Sequence, residues 1–316
     1  MRGLYSPLVK RVRYAAAVAV ASAVLVSLAC WAPPSASAGG SPRQGPFSGE
    51  IQIGGGRELY LRCAGRGGPT VILESGIHDS SGAWTVTQTT PPVPSSPSVF
   101  QGVARFTHVC VYDRPGTTGP NEEPSRSTPV PMPRKLPDMA ADLHKLLMSA
   151  GLRAPVVLVG HSLGGFISRY FAQTYRKEVR GMVLVDAFGI DIKPLLGRVW
   201  PAYERLLNFP PGLTSPGLER IDFDGAIRAT RRAKPLPPLP LAVISKTEPF
   251  AAAPGFPRPV IKALNKAWPI MQDRLVSLEP QTPHILATGS DHNVQVHEPD
   301  LVISIIHLIW ERARRQ

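Results

Sequence analysis

Cysteine is nearly missing from this chain, with three in 316 residues, one of which (Cys30) falls in a leader-like N-terminal stretch. So few cysteines exclude a scaffold held together mainly by disulfides. Charge is also sparse, at 18% of residues, and aromatics make up 7%. Acids are outnumbered, 23 against 35 Lys and Arg. The excess cations are scattered, with small clusters at Arg231-Arg232-Lys234 and Arg312-Arg314-Arg315. No long basic stripe interleaved with aromatics runs through the chain, which argues against a nucleic-acid partner. The clusters read as solvated faces, and a basic net charge allows at most loose association with anionic envelope polymers. No internal repeat is visible. What is abundant is apolar material, 43% of residues, enough for one large core.

The first 38 residues stand apart. Arg2, Lys10, Arg11 and Arg13 carry positive charge with no acid before residue 15, an apolar run covers 15–29, and Ala36-Ser37-Ala38 places small residues where a signal peptidase reads them. This is a secretory signal pattern, with cleavage expected after Ala38. An uncleaved anchor is the alternative, although the run is short for a span of about 20 residues. The expected location is therefore secreted or cell envelope. Without the four leader cations the net charge falls from +12 to +8. Residues 39–48, rich in Gly and Pro, read as a flexible start to the mature chain.

Beyond them the pattern alternates. Glu50-Ile51-Gln52-Ile53 and Glu58-Leu59-Tyr60-Leu61-Arg62-Cys63, around Gly54-Gly55-Gly56, predict an antiparallel hairpin. Short apolar runs at 70–74, 106–112, 156–159 and 181–185 predict strands covered on both faces, as in a parallel sheet. Helical spacing appears at 137–150 and 165–178 between them, and later strands are expected at 239–244 and 284–287 before a final helix at 301–313. Strands alternating with helices define an α/β sheet. The Pro- and Ser-rich stretches 86–99 and 115–136 read as surface loops. Residues 189–237 interrupt the alternation and predict a cap insertion over the strand ends, within one domain spanning 49–316.

Gly160-His161-Ser162-Leu163-Gly164 is a G-x-S-x-G sequence lying between a predicted buried strand and a predicted helix. That setting is a nucleophile elbow, a strained turn that lifts the Ser162 hydroxyl above the sheet edge. Its glycines let neighbouring backbone pass without a Cβ clash, and the helix N-terminus behind it favours negative charge.

Together with Val71-Ile72-Leu73-Glu74-Ser75-Gly76 and Trp84, Tyr112-Asp113-Arg114-Pro115-Gly116, Val183-Leu184-Val185-Asp186-Ala187 and Gly289-Ser290-Asp291-His292, this motif resembles the α/β-hydrolase superfamily over residues 50–312. It looks most like secreted or envelope actinobacterial members. The resemblance implies a mostly parallel eight-stranded sheet flanked by helices, with a cap. It also implies the chain order nucleophile, acid, histidine. Ser162 is then the nucleophile and His292 the base. His284 and His307 fall in a strand and a helix, leaving His297 as the competitor. Asp186, at a strand end, is the favoured acid, with Glu248 after the following strand as the alternative. The oxyanion donors would be the Leu163 and Ile77 amides, while His78 and Asp79 shape the loop. Two departures from the family pattern are Ser75-Gly76 in place of His-Gly, and no Gly-x-x-Asp after Ile244. Family topology sets the second and fourth strands side by side, which implies a Cys63–Cys110 disulfide.

The expected activity is acyl transfer to Ser162 and then to water, on carboxylic esters, lipid esters in particular, with no cofactor or metal required. A small-molecule or lipid ester is the implied partner. An amidase, a peptidase or a cofactor-free perhydrolase would use the same residues. A binding protein retaining the fold is the contrasting class.

Overall fold

The computed structural model describes residues 45–88, 97–252 and 255–316. The leader, its cleavage at Ala38 and residues 39–44 lie outside these. Among the described residues, eight strands form one sheet: β1 Phe47–Gly54, β2 Arg57–Ala64, β3 Val71–Glu74, β4 Val109–Tyr112, β5 Val156–His161, β6 Val179–Val185, β7 Leu241–Lys246 and β8 His284–Ala287. Their order is β1-β2-β4-β3-β5-β6-β7-β8. β1 and β2 pair antiparallel, as do β2 and β4, and the rest are parallel.

The helices are α1 Val99–Val103, α2 Leu136–Ser149, α3 Leu163–Thr174, α4 Ile192–Leu196, α5 Trp200–Asn208, α6 Phe223–Arg232, α7 Arg258–Val276, α8 Val294–His297 and α9 Pro299–Arg314. Leu143, Leu146 and Phe171 of α2 and α3 pack on Leu158 and Leu184 of the sheet. Val103 of α1 and Ile306 and Ile309 of α9 pack on Val71, Val157 and Val183, which alternate with the first set. Both faces of the central strands are thereby dry, which is why β3, β4 and β5 are buried at every residue and read as unbroken apolar runs. Helices α4 to α6 fill the insertion between β6 and β7 and share a third cluster with α3 and α7.

Three local differences from the sequence expectations have physical causes. Phe47 and Ser48, read as flexible, pair with Cys63 and Arg62 as the start of β1, and the Ser48 hydroxyl lies 2.8 Å from that of Tyr60. β4 begins only at Val109 because Phe106 turns out of the sheet against Trp310, edge-on at 5.5 Å. Helix α7, 19 residues long, was hidden by Pro257, Pro259 and Pro269, although Val260, Leu264, Ala267, Met271 and Leu275 keep helical spacing and are buried.

Cys63 and Cys110 face each other in the β2–β4 register and are bonded, with Cα atoms 4.1 Å apart. The bond closes a loop between residues 47 positions apart. Closing such a loop stabilises by about 4 kcal/mol in the chain-entropy account. The double variant Cys63→Ser/Cys110→Ser should lose a stability of that order in a denaturant titration, with β2–β4 pairing intact by circular dichroism.

Candidate active site

The site is assembled at the C-terminal ends of the parallel strands. Ser162 links β5 directly to α3 at φ +50° and ψ −120°, a region that non-glycine residues occupy only when the surroundings force it. The surroundings here do. The Ser162 amide donates to the Val185 carbonyl at 3.1 Å, and its own carbonyl accepts from the Phe188 amide at 2.9 Å. A Cβ on Gly160 would lie 2.5 Å from the Gly164 backbone, and one on Gly164 would collide with the Glu74 carbonyl. The turn is thus wedged between β3 and β6, and only glycine fits on either side of the serine.

Asp186 follows β6 and also takes a positive φ, +40°. Its amide donates to the Ile244 carbonyl at 2.7 Å, which turns the fully buried carboxylate back over the strand ends. There it lies 2.6 Å from His292 Nδ1 and accepts from Trp268 Nε1 at 2.9 Å and from the Lys246 amide at 3.3 Å. His292 sits in the loop after β8. Its carbonyl accepts from His161 Nε2 at 2.8 Å, so Nε2 carries the proton of His161. The other ring nitrogen of His161 is buried and unpartnered. Burial first, and the neighbouring His292 second, hold the His161 pKa well below the usual histidine range, consistent with a neutral ring that fixes the His292 backbone.

Ser162, His292, Ile77 and Leu163 border one cavity of ≈ 280 Å³, roofed by Phe188, Tyr203, Leu207, Phe223, Phe250 and Leu264. The structure brings together every residue assigned from sequence to the reacting group. The Ile77 and Leu163 amides donate to no described residue, so both are free for an incoming oxygen. Glu248 does not approach. Its side chain is exposed, and its backbone is what the protein uses, in a bond to the Ser290 carbonyl. His297 pairs with Asp291 at 3.3 Å and with the Gln88 carbonyl at 2.9 Å, and His284 with Ser245 at 2.9 Å. His78 shapes the loop, donating from Nε2 to the Leu207 carbonyl. Asp79, expected to do likewise, makes no side-chain bond to any described residue.

Sequence reasoning missed two groups. Arg114 is buried and reaches in four directions: to Glu74 and Glu219, both at 2.7 Å, and to the carbonyls of Ser75 and Gly76 at 2.8 and 2.6 Å. Tyr112 also donates to Glu74. Glu219, from the cap, accepts in addition from the His78 amide at 3.0 Å. The loop carrying Ile77 is therefore strapped to the sheet and to the cap through one guanidinium. Burial alone would lower the Arg114 pKa, but Glu219 and Glu74 raise it well above its usual value, and Arg114 in turn holds the Glu219 carboxyl low against burial. The only sequence signal for Arg114 was its place in the Tyr-Asp-Arg-Pro-Gly motif, which carries no role by itself.

The second missed group is Trp268, on the helix hidden by prolines. Its indole N–H holds Asp186 while its ring meets the His292 ring edge-on at 5.3 Å. A hydrogen bond to a charged group contributes about 1.5–3 kcal/mol. Trp268→Phe should therefore lower kcat/KM about 10- to 100-fold, mostly through kcat, with the fold retained.

Among the described residues one trio of metal-ligand types gathers, Cys63, His108 and Cys110, and two of its members are consumed by the disulfide.

An eight-stranded sheet with a leading antiparallel hairpin, a strained serine after its fifth strand and an acid–histidine pair at the following strand ends define an α/β-hydrolase architecture. The chain belongs to the alpha/beta hydrolase family, whose family model matches residues 71–305. It is 24% identical over 263 residues to YqjL, an uncharacterised protein of Bacillus subtilis, covering 80% of this chain and 87% of that one. Its fold is similar to that of a thermophilic esterase from Thermogutta terrifontis, with a TM-score of 0.54 and 18% identity over 83% of this chain and 97% of the other. A hydrolase from Pseudomonas aeruginosa superposes comparably, with a TM-score of 0.53, 18% identity and the same coverage of both chains.

Proposed function

We propose that this protein is an exported serine hydrolase that cleaves carboxylic esters with an apolar acyl group. The observation that carries the reading is the Asp186–His292 pair at 2.6 Å, beside a serine held at φ +50° on the floor of an apolar cavity. His292 takes the proton of Ser162 as its Oγ attacks the ester carbonyl, and Asp186 stabilises the imidazolium that forms. The Leu163 and Ile77 amides receive the negative oxygen. Collapse expels the alcohol, protonated by His292, and water releases the acid by the same steps in reverse order. No Asp, Glu, Lys or Arg side chain lines the cavity, which suits a neutral, apolar acyl chain. The esterase similarity agrees with this chemistry, and the leader at 1–38 and the bonded cysteine pair agree with export to an oxidising compartment.

A fluorophosphonate probe tests the reading. The wild type should label stoichiometrically and Ser162→Ala should not. A folded wild type that resists labelling would favour the fold-retaining binding protein instead.

A further inference from the structure

A second cavity, ≈ 270 Å³, shares no wall residue with the first. Its wall comes from two segments adjoining the reacting groups. One is the loop that continues from Ile77 and supplies Asp79. The other runs on from His292 and supplies Asn293, Gln295 and His297, with Thr118 and Gln88 between them. Its chemistry is opposite to that of the acyl cavity. Asp79 is half-buried, its carboxylate makes no hydrogen bond or ion pair to a described residue, and its amide donates to the Gly76 carbonyl of the oxyanion loop at 3.3 Å. One carboxyl oxygen lies 3.0 Å from where a side chain on Gly76 would begin. Burial pushes this carboxyl up to about 6, against the opposing pull of Arg114 and His292. Gln295 is 1% exposed, and neither its amide oxygen nor its nitrogen has a partner. Buried polar groups left unpaired are costly and call for an explanation.

The reaction order supplies one. The leaving oxygen is protonated by His292, which borders the first cavity, and the chain running on from it through Asn293 walls the second, so that segment leads from the leaving oxygen toward the second cavity. We infer that the second cavity receives this alcohol half, and that Asp79, with Gln295, recognises its hydroxyl groups, so that the preferred substrates are esters of an apolar acid with a small polyol. This rests on the ester-hydrolase reading above. A plain alkyl alcohol would leave the carboxylate and the amide without partners, and a site built for hydroxyls discriminates strongly against analogues that lack them.

The test compares kcat/KM for 1-octanoylglycerol and ethyl octanoate, which share an acyl chain. The wild type should prefer the glyceryl ester by about tenfold or more. Asp79→Ala should bring the ratio close to one, and Gln295→Leu should lower it from the opposite wall. Equal rates on both esters in the wild type, or a ratio unchanged in both variants, would overturn the subsite while leaving the ester reading intact. Failure of the wild type to hydrolyse either ester would overturn both.

Discussion

Asp186→Asn should lower kcat by about 10⁴, the loss found when an orienting carboxylate becomes an amide, while Glu248→Gln leaves it essentially unchanged. The asymmetry follows from the two positions. Asp186 is fully buried and accepts from Trp268 Nε1 and the Lys246 amide through one oxygen, leaving the other for His292 Nδ1 at 2.6 Å. An asparagine of the same shape keeps one oxygen for Trp268 and turns its NH₂ toward the imidazole, which forces the proton onto the wrong nitrogen. Glu248 is exposed and contributes only backbone bonds. Steady-state ester hydrolysis by the two variants, with circular dichroism to confirm folding, makes the comparison. Equal losses in both would remove Asp186 from its role.

A large effect on stability is expected at Arg114. Replacing it by methionine leaves Glu74 and Glu219 buried without their cation, and breaking a buried pair from one side costs about 3–5 kcal/mol. For a domain of this size that corresponds to a fall in Tm of roughly 10 °C. Lysine should not rescue it, because the five bonds run from Nε and both terminal nitrogens of the fork and an ammonium cannot span them. Scanning calorimetry would check this. A second consequence is separable from stability. With the Ser75 and Gly76 carbonyls released, the Ile77 amide loses its fixed position, so fluorophosphonate labelling of the still-folded fraction should also slow.

The sheet was largely legible because strands buried on both faces leave runs such as Val156-Val157-Leu158-Val159 that no surface segment would carry. Ser162 and Asp186 were legible because each follows an apolar run at a turn, and His292 because it lies in the loop after one, and the fold brings such ends to one edge. Trp268 was not, since one proline just before its helix and two within it mask the pattern while leaving the helix in place. The Arg114–Glu219 pair joins positions 105 apart, and no local periodicity encodes a contact of that kind. The Glu74 side chain faced the same obstacle: an acid inside an apolar strand shows nothing of the guanidinium and phenol that satisfy it.

The anchor that the Glu219 carboxylate makes between the cap and the loop carrying Ile77 separates two properties that usually change together. Tyr203, Leu207 and Phe223, which line the cavity above Ser162, sit on helices whose side chains can be exchanged for larger or smaller ones without touching that anchor. The shape of that cavity is therefore open to point changes, whereas a change at position 219 would loosen the loop carrying Ile77 whatever the cavity holds.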